Sequence, residues 1–281
     1  MNSSNPRQYS LFQKFPLNGK ATISTGEVPK PYHIYDGYGA FIAGTANLAA
    51  TQRILQNEQV MPLHTTDGRA LMGIWLCDFV DASLGPHHEL QFSIFVTRQK
   101  TPALSNHPVG LLSAMLTQPD MQMMCHGLWN NTTVVVAYNR ELLSLNAKLS
   151  TSTIERDAQK LQFDVRDAAS GSVILTGHLN KPAQPSWSAN WAFLRQLGFG
   201  KAMQANRQPW IEMQVVNPLG VRLSHNGVAK AMDKNDTNNI RYFDPKFDHL
   251  TFGESPYRAL DFRPQVVQHM SGFKFVYLDP Q

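Results

Sequence analysis

Glu89 stands directly after two histidines, His87 and His88, and a Gly-Pro corner, in the stretch DASLGPHHELQFSIF that spans residues 81–95. A carboxylate held in a partly apolar cavity has its pKa raised towards neutrality, which suits a general acid or base. Leu90, Phe92, Ile94 and Val96 alternate with Glu89, Gln91 and Ser93, as in a strand with one apolar and one polar face. In a closed sheet that polar face is a lumen; in an open one it is a solvated surface, and the alternation alone fits both. Neighbouring residues on a strand point to opposite faces, so His87 shares the side of Glu89 and is its expected partner, while His88 does not. His-His-Glu in immediate succession lacks the convergence a metal needs, and no metal is expected.

A second group of polar residues lies in HGLWNNTTVVVAYN, where His126, Trp129, Asn130 and Asn131 cluster. Asparagine amides can donate to an enolate or carboxylate and a histidine can shuttle a proton. The same Asn-Asn pair is also strong turn chemistry. Trp75, Phe41, Phe92 and the methionines of MLTQPDMQMM could wall an apolar ligand site, although packing is the commoner use of such side chains. Arg207 and Arg263 are further polar groups able to grip an acid, each more simply read as surface. GxSxG, GxxxxGK[ST], GxGxxG after a strand and HExxH are all missing, so nucleotide and dinucleotide cofactors have no support and no cofactor is expected.

The elements that would position these residues are mostly strands. YGAFIAGTANL reads as a strand followed by a short helix over LAATQRILQNEQV. RALMGIWLCDFVD has both alternating sets apolar, the mark of a strand buried on both faces. NHPVGLLSAMLTQ reads as a short helix. WNNTTVVVAYN reads as β, and KLQFDVRD and SVILTGHLN form a hairpin across AASG. SWSANWAFLRQLGFGKAM is a second helix with Trp191, Leu194 and Leu197 on one stripe and GFG as its stop. WIEMQVVN and GFKFVYLD alternate as strands, joined through the polar connection NGVAKAMDKNDTNN. Residues 1–31 show no period and read as an arm over a core that begins at Tyr32. With no linker or repeat, residues 32–281 are expected to form one α+β domain on a large, curled or closed antiparallel sheet with a few peripheral helices.

The totals agree with a folded enzyme-sized domain: 281 residues, 42% apolar, 16% charged, net charge +4. The basic residues form no run or stripe, which argues against a nucleic-acid partner. Cys77 and Cys125 sit in apolar surroundings without metal-ligand spacing, as buried free thiols do. There is no 18-residue apolar span and no leader-like N-terminus, so a cytoplasmic protein without membrane contact is expected. Homo-oligomerisation is left open.

Taken in order, YGAFIAGTANLAATQRILQNEQVMPL, WLCDFVDASLGPHHEL and HGLWNNTTVVVAYN resemble the acetoacetate decarboxylase-like superfamily. In that family a strand leads to a short helix ending in Pro, and a second strand enters a Gly-rich turn followed by an aromatic, a variable residue and a Glu. A third segment of the type Arg-Glu-hydrophobic-aromatic-Gly-aromatic-Pro-Lys-Lys carries a Schiff-base lysine. The resemblance covers residues 32–145, with vaguer agreement at FDHLTFGESPYRALDFRPQVV. It implies a cone-like antiparallel β-barrel with a mostly apolar cavity, and it matches the family's acidic residue to Glu89. Other positions depart. The second lumen Glu falls on Ile74, the Arg before the first strand falls near Asp36, and Pro-Lys-Lys falls on Thr132 to Val134.

No lysine occurs between Lys100 and Lys148, and neither Asn nor Thr can form an imine. The resemblance therefore implies an enzyme that has lost imine chemistry. Such an enzyme would act on an oxo acid or polyketide-like small molecule, a substrate type of secondary metabolism, by lyase-type acid-base steps such as decarboxylation, dehydration or cyclisation. Glu89 would transfer the proton with His87 or His126 as partner, and Trp129, Asn130, Asn131, Gln91 and Trp75 would contact the substrate. Two other readings stand beside it: a non-catalytic protein holding an apolar ligand, and an imine enzyme whose amine is Lys148 or Lys274.

Overall fold

The structure, a computed structural model, describes residues 9–118, 120–181, 186–198, 200–201, 203, 210–218, 228–233 and 239–278. The chain runs α1 (Ser10–Lys14), β1 (Gly19–Ile23), β2 (Gly26–Lys30), β3 (Tyr32–Asn47), α2 (Leu48–Ile54), β4 (Met61–Pro62), β5 (Arg69–Ala82), β6 (His87–Thr97), α3 (Gly110–Thr117) and β7 (Gln122–Asn130). It continues through α4 (Thr133–Glu141), β8 (Ala147–Arg156), β9 (Lys160–Asp167), β10 (Val173–Asn180), α5 (Trp187–Leu197), β11 (Trp210–Val216), β12 (Val228–Asp233), β13 (Asn239–Tyr242), β14 (His249–Phe252), β15 (Arg263–Ser271) and β16 (Phe275–Tyr277).

Strand pairing closes a ring. β3 pairs β5, β5 pairs β6, β6 pairs β7, β7 pairs β11, β11 pairs β12, β12 pairs β16, and β16 returns to β3. All of these pairings are antiparallel except β7 with β11. A second layer leaves the ring at β7, which pairs β8 in parallel, and continues through β9, β10 and β14. The 16-residue β3 is long enough to serve two partners, β16 on its first part and β15 on the rest.

Two apolar cores follow from this. Inside the ring, Tyr32, Phe41, Trp75, Cys77, Phe79, Phe95, Met123, Cys125, Phe275 and Tyr277 pack together. Between the ring wall and the second layer, Ile42, Met72, Ile74, Leu76, Leu90, Phe92 and Trp129 meet Leu161, Phe163, Val165, Leu175 and Tyr257. β5 supplies alternate residues to both, which is why its sequence is apolar on both sides. The α+β class and the closed, largely antiparallel sheet are as the sequence implies.

Local expectations needed correction in three places. The run read as β after Asn131 is the helix α4, which buries Val135, Val136, Ala137 and Tyr138 against the barrel. Packing of that face overrides the strand preference of three consecutive valines. The polar connection NGVAKAMDKNDTNN contains β12, a ring strand. On α5, Trp191 and Leu194 are exposed, and the buried residues are Ala189 and Leu197. Within residues 1–31, α1 docks Leu11 and Phe12 on Tyr35 and Val276, and β1 and β2 form a hairpin. Among the described residues no helix is long and apolar enough to cross a membrane.

Candidate active site

Glu89 lies on β6 opposite Cys77 of β5 and Asn130 of β7, and only 2% of it is exposed. Cross-strand partners share a face, and Cys77 belongs to the core inside the ring. The carboxylate is therefore a lumen group, and the solvated reading does not hold. Asn130, fully buried, donates from Nδ2 to Glu89 Oε2 at 3.3 Å and accepts at Oδ1 from Asn139 Nδ2 at 3.0 Å. Asn139 Oδ1 has no hydrogen-bond partner among the described residues. β7 thus delivers the amide that fixes the carboxylate, and α4 delivers the amide that fixes the first.

Around Glu89 stand three buried tyrosines, Tyr32, Tyr138 and Tyr277. Tyr277 lies opposite Tyr32 in the β16–β3 register, and their rings stack with centroids 5.7 Å apart. Tyr138, from α4, packs on Tyr32 at 5.4 Å. Burial, followed by the charge of Glu89, raises the pKa of both Tyr32 and Tyr277 well above the usual phenol value. Both hydroxyls therefore keep their protons at neutral pH. Tyr277 donates to Gln91 Oε1 at 3.5 Å, and Gln91 Nε2 donates to Ser93 Oγ at 2.6 Å.

His87 also faces the lumen, but its bonded partner is Tyr32 rather than Glu89. Its Nε2 lies 2.5 Å from Tyr32 Oη and its Nδ1 lies 2.8 Å from the Gly85 carbonyl. Burial lowers the His87 pKa to about 4, so the ring is neutral at pH 7. His88 points outward, as its parity requires, to Ser152 Oγ at 2.9 Å.

The other expected partners do not join Glu89. Phe92 pairs Gly127 while Ser93 pairs Cys125, so β7 carries one extra residue at His126. Such a bulge inverts the face of every following side chain. Cys125 and Leu128 consequently pack in the lumen, whereas Trp129 packs in the outer core. His126 bonds Tyr257 Oη at 2.9 Å on that outer side, with its pKa lowered by burial. Without the bulge His126 and Asn130 would share a face; with it they are separated by the barrel wall. A Cβ at Gly127 would collide with the Tyr257 hydroxyl, so the bulge is built around a glycine.

Asn131 lies past the end of β7 and accepts from the His88 backbone N–H at 2.7 Å, which ties down β6 from outside. Trp75 stacks on Phe41 at 4.2 Å and walls the lumen together with Met123, while Phe92 belongs to the outer core. Lys148 sits over the outer face of Trp129, and Lys274 donates to the Gly272 carbonyl beneath the Tyr9 ring. Neither points at Glu89. Arg263 is an exposed partner of Asp261, and Arg207 lies outside the described residues.

Sequence reasoning missed Tyr32, Tyr138, Asn139 and Tyr277. Tyr138 and Asn139 carried a signal only if α4 was read as a helix after Asn130. Tyr32 and Tyr277 meet across 245 positions of chain through the β3–β16 pairing, which nothing local announces.

No family model matches the sequence, and no curated protein matches it. The same architecture occurs in acetoacetate decarboxylase from Legionella pneumophila, 12% identical with a TM-score of 0.58 over 99% of this chain and 97% of that one. A second acetoacetate decarboxylase structure is 14% identical with a TM-score of 0.54 over 90% and 88%. The enduracididine biosynthesis enzyme MppR, in complex with pyruvate, is 11% identical with a TM-score of 0.51 over 89% of each chain. Ring closure and these likenesses agree: this chain has the acetoacetate decarboxylase-like fold.

Proposed function

We propose that the chain is an enzyme that moves protons on an enolisable small molecule, an oxo acid or a polyketide-like carbonyl compound, without forming an imine. The observation that carries this reading is the Asn139–Asn130–Glu89 chain, which ends on a carboxylate inside the barrel. A carboxylate whose orientation is fixed by a buried amide is prepared for proton transfer, because its acceptor geometry costs nothing further at the moment of reaction. Tyr277, kept protonated by burial and by the Glu89 charge, gives its proton to Gln91 Oε1 across a long 3.5 Å, and it becomes a donor to the oxygen of a developing enolate by turning from that contact to the substrate. Removal of the α-proton by Glu89 gives that enolate. Its return to carbon, loss of a β-hydroxyl or attack on a second carbonyl would give isomerisation, dehydration or cyclisation respectively.

Acetoacetate decarboxylase and the pyruvate complex of MppR, which share this kind of barrel, support a small carbonyl substrate. The test is deuterium uptake from D2O into pyruvate, acetoacetate and acetylacetone, followed by NMR. The wild-type chain should accelerate exchange in at least one of them, and Glu89→Gln should slow it by roughly 10²–10⁴-fold with unchanged thermal unfolding. Wild-type rates in that variant would remove Glu89 from the chemistry. A compound that binds but neither exchanges nor reacts would make the lumen a binding site.

A further inference from the structure

We propose that Tyr32 is a second catalytic residue of the lumen, the base for a substrate hydroxyl or enol, with His87 as the positioning residue that takes the proton Tyr32 releases. The inference rests on reading the lumen as an acid-base site and names a group that works beside Glu89.

The direction of the hydrogen bonds carries the argument. A carbonyl oxygen can only accept, so the His87 Nδ1 that lies 2.8 Å from Gly85 O bears the ring proton. The opposite nitrogen, Nε2, then holds a lone pair, and the Tyr32 hydroxyl 2.5 Å away must donate to it. With its proton turned towards His87, Tyr32 Oη has only lone pairs left for anything else in the lumen. A substrate O–H that meets this oxygen can give its proton to Oη while the Tyr32 proton passes to His87 Nε2. One substrate O–H bond breaks, one N–H bond forms on the imidazole, and the substrate becomes an alkoxide or enolate. No electron acceptor is needed, and reversal returns the proton.

The surroundings hold the pair for this task. Tyr277 stacks on Tyr32 at an interplanar angle of 10°, and Phe79 packs 5.0 Å from the His87 ring. His87 and Glu89 lie two residues apart on one face of β6, roughly 6.6 Å along a strand. One small molecule can therefore meet the carboxylate through a C–H and Tyr32 through an O–H. Before the proton moves, His87 is neutral at pH 7 because burial disfavours its charged form, so its lone pair is available to the hydroxyl. The substrate anion formed beside it supplies the opposite charge that lets the ring hold the proton. The substrate class that fits both groups is a carbonyl compound that also carries an enol or a nearby hydroxyl.

Acetylacetone serves as the probe, since its enol supplies the O–H and its central carbon the C–H. Wild-type protein should bind it with the ultraviolet absorbance of the enolate. Tyr32→Phe and His87→Gln should each lower the enolate fraction by about tenfold or more while the probe's Kd changes by less than about threefold. Glu89→Gln should keep the enolate absorbance and lose deuterium uptake at the central carbon, which separates the two groups. Nitrogen-15 NMR of His87 in the unaltered protein should show a protonated Nδ1 and a bare Nε2.

Wild-type enolate absorbance in both Tyr32→Phe and His87→Gln, or a proton on Nε2 with a bare Nδ1, overturns the role of Tyr32. Carbon exchange in wild-type protein without any enolate band also overturns it and leaves the Glu89 reading standing. Absence of both band and exchange with acetylacetone overturns the role of Tyr32, and the Glu89 reading then stands or falls on exchange into pyruvate and acetoacetate.

Discussion

The barrel wall carries a histidine-tyrosine hydrogen bond on each side. On the lumen side His87 meets Tyr32 at 2.5 Å, and on the outer side His126 meets Tyr257 at 2.9 Å. The residue types match, and burial lowers both histidines and raises both tyrosines. What differs is the company. The inner pair lies within the field of the Glu89 carboxylate and beside a second stacked tyrosine. The outer pair is wedged among Phe92, Trp129 and the second layer, with Tyr257 stacked on Phe92 at 4.2 Å. A polar pair of this kind becomes a candidate for chemistry through what it faces, and one bulge residue decides which side His126 faces.

Variants on the two sides of the wall separate chemistry from packing. The largest effect is expected inside: Glu89→Gln should lower proton exchange by roughly 10²–10⁴-fold while leaving the unfolding midpoint nearly unchanged. Next comes the outer wall, where Tyr257→Ala removes a buried aromatic and should cost about 3–5 kcal/mol in urea unfolding. Exchange per folded molecule should then stay near the wild-type rate. If Tyr257→Ala instead abolished exchange in folded protein, the two sides would not be independent.

Acid should act on stability through histidines held neutral. His87 and His269 both have folded pKa values of about 4 against 6.5 for the free side chain, with burial as the first cause. Below pH 6.5 the unfolded chain binds protons that the native state refuses, so stability is complete above that pH and falls as pH drops towards 4. Each group can remove up to about 3 kcal/mol over that window. Urea midpoints at pH 7, 5.5 and 4.5 should decline, and His87→Gln should shallow the decline by about one proton's share. A flat profile would show that neither His87 nor His269 is held neutral in the folded state. The smallest effect is Tyr257→Phe, which deletes the bond to His126 and should cost about 1 kcal/mol with no change in exchange.

Glu89 was legible in the sequence chiefly through the family resemblance, because the alternation of β6 from Glu89 to Ile94 fits a lumen and a solvated face alike. Gln91 and His87 followed by parity. His126 and Trp129 were grouped with Asn130 because they share one short segment, and the single extra residue opposite Phe92 that helps put them on the outer side leaves no compositional trace. α4 was hidden by three valines whose strand preference is weaker than the burial gained by packing Val135, Val136 and Tyr138 as a helix. Tyr32 and Tyr277 were invisible for another reason: they meet only when the last described strand closes on the first strand of the ring. The fold was readable from short-range periodicity, while half of the site depends on long-range register.

The claim that this barrel works without an imine is tested most directly by borohydride reduction in the presence of β-keto and 2-oxo acids, followed by intact-mass analysis. The account predicts no adduct with any of them. A reduced adduct mapped to one lysine would contradict it.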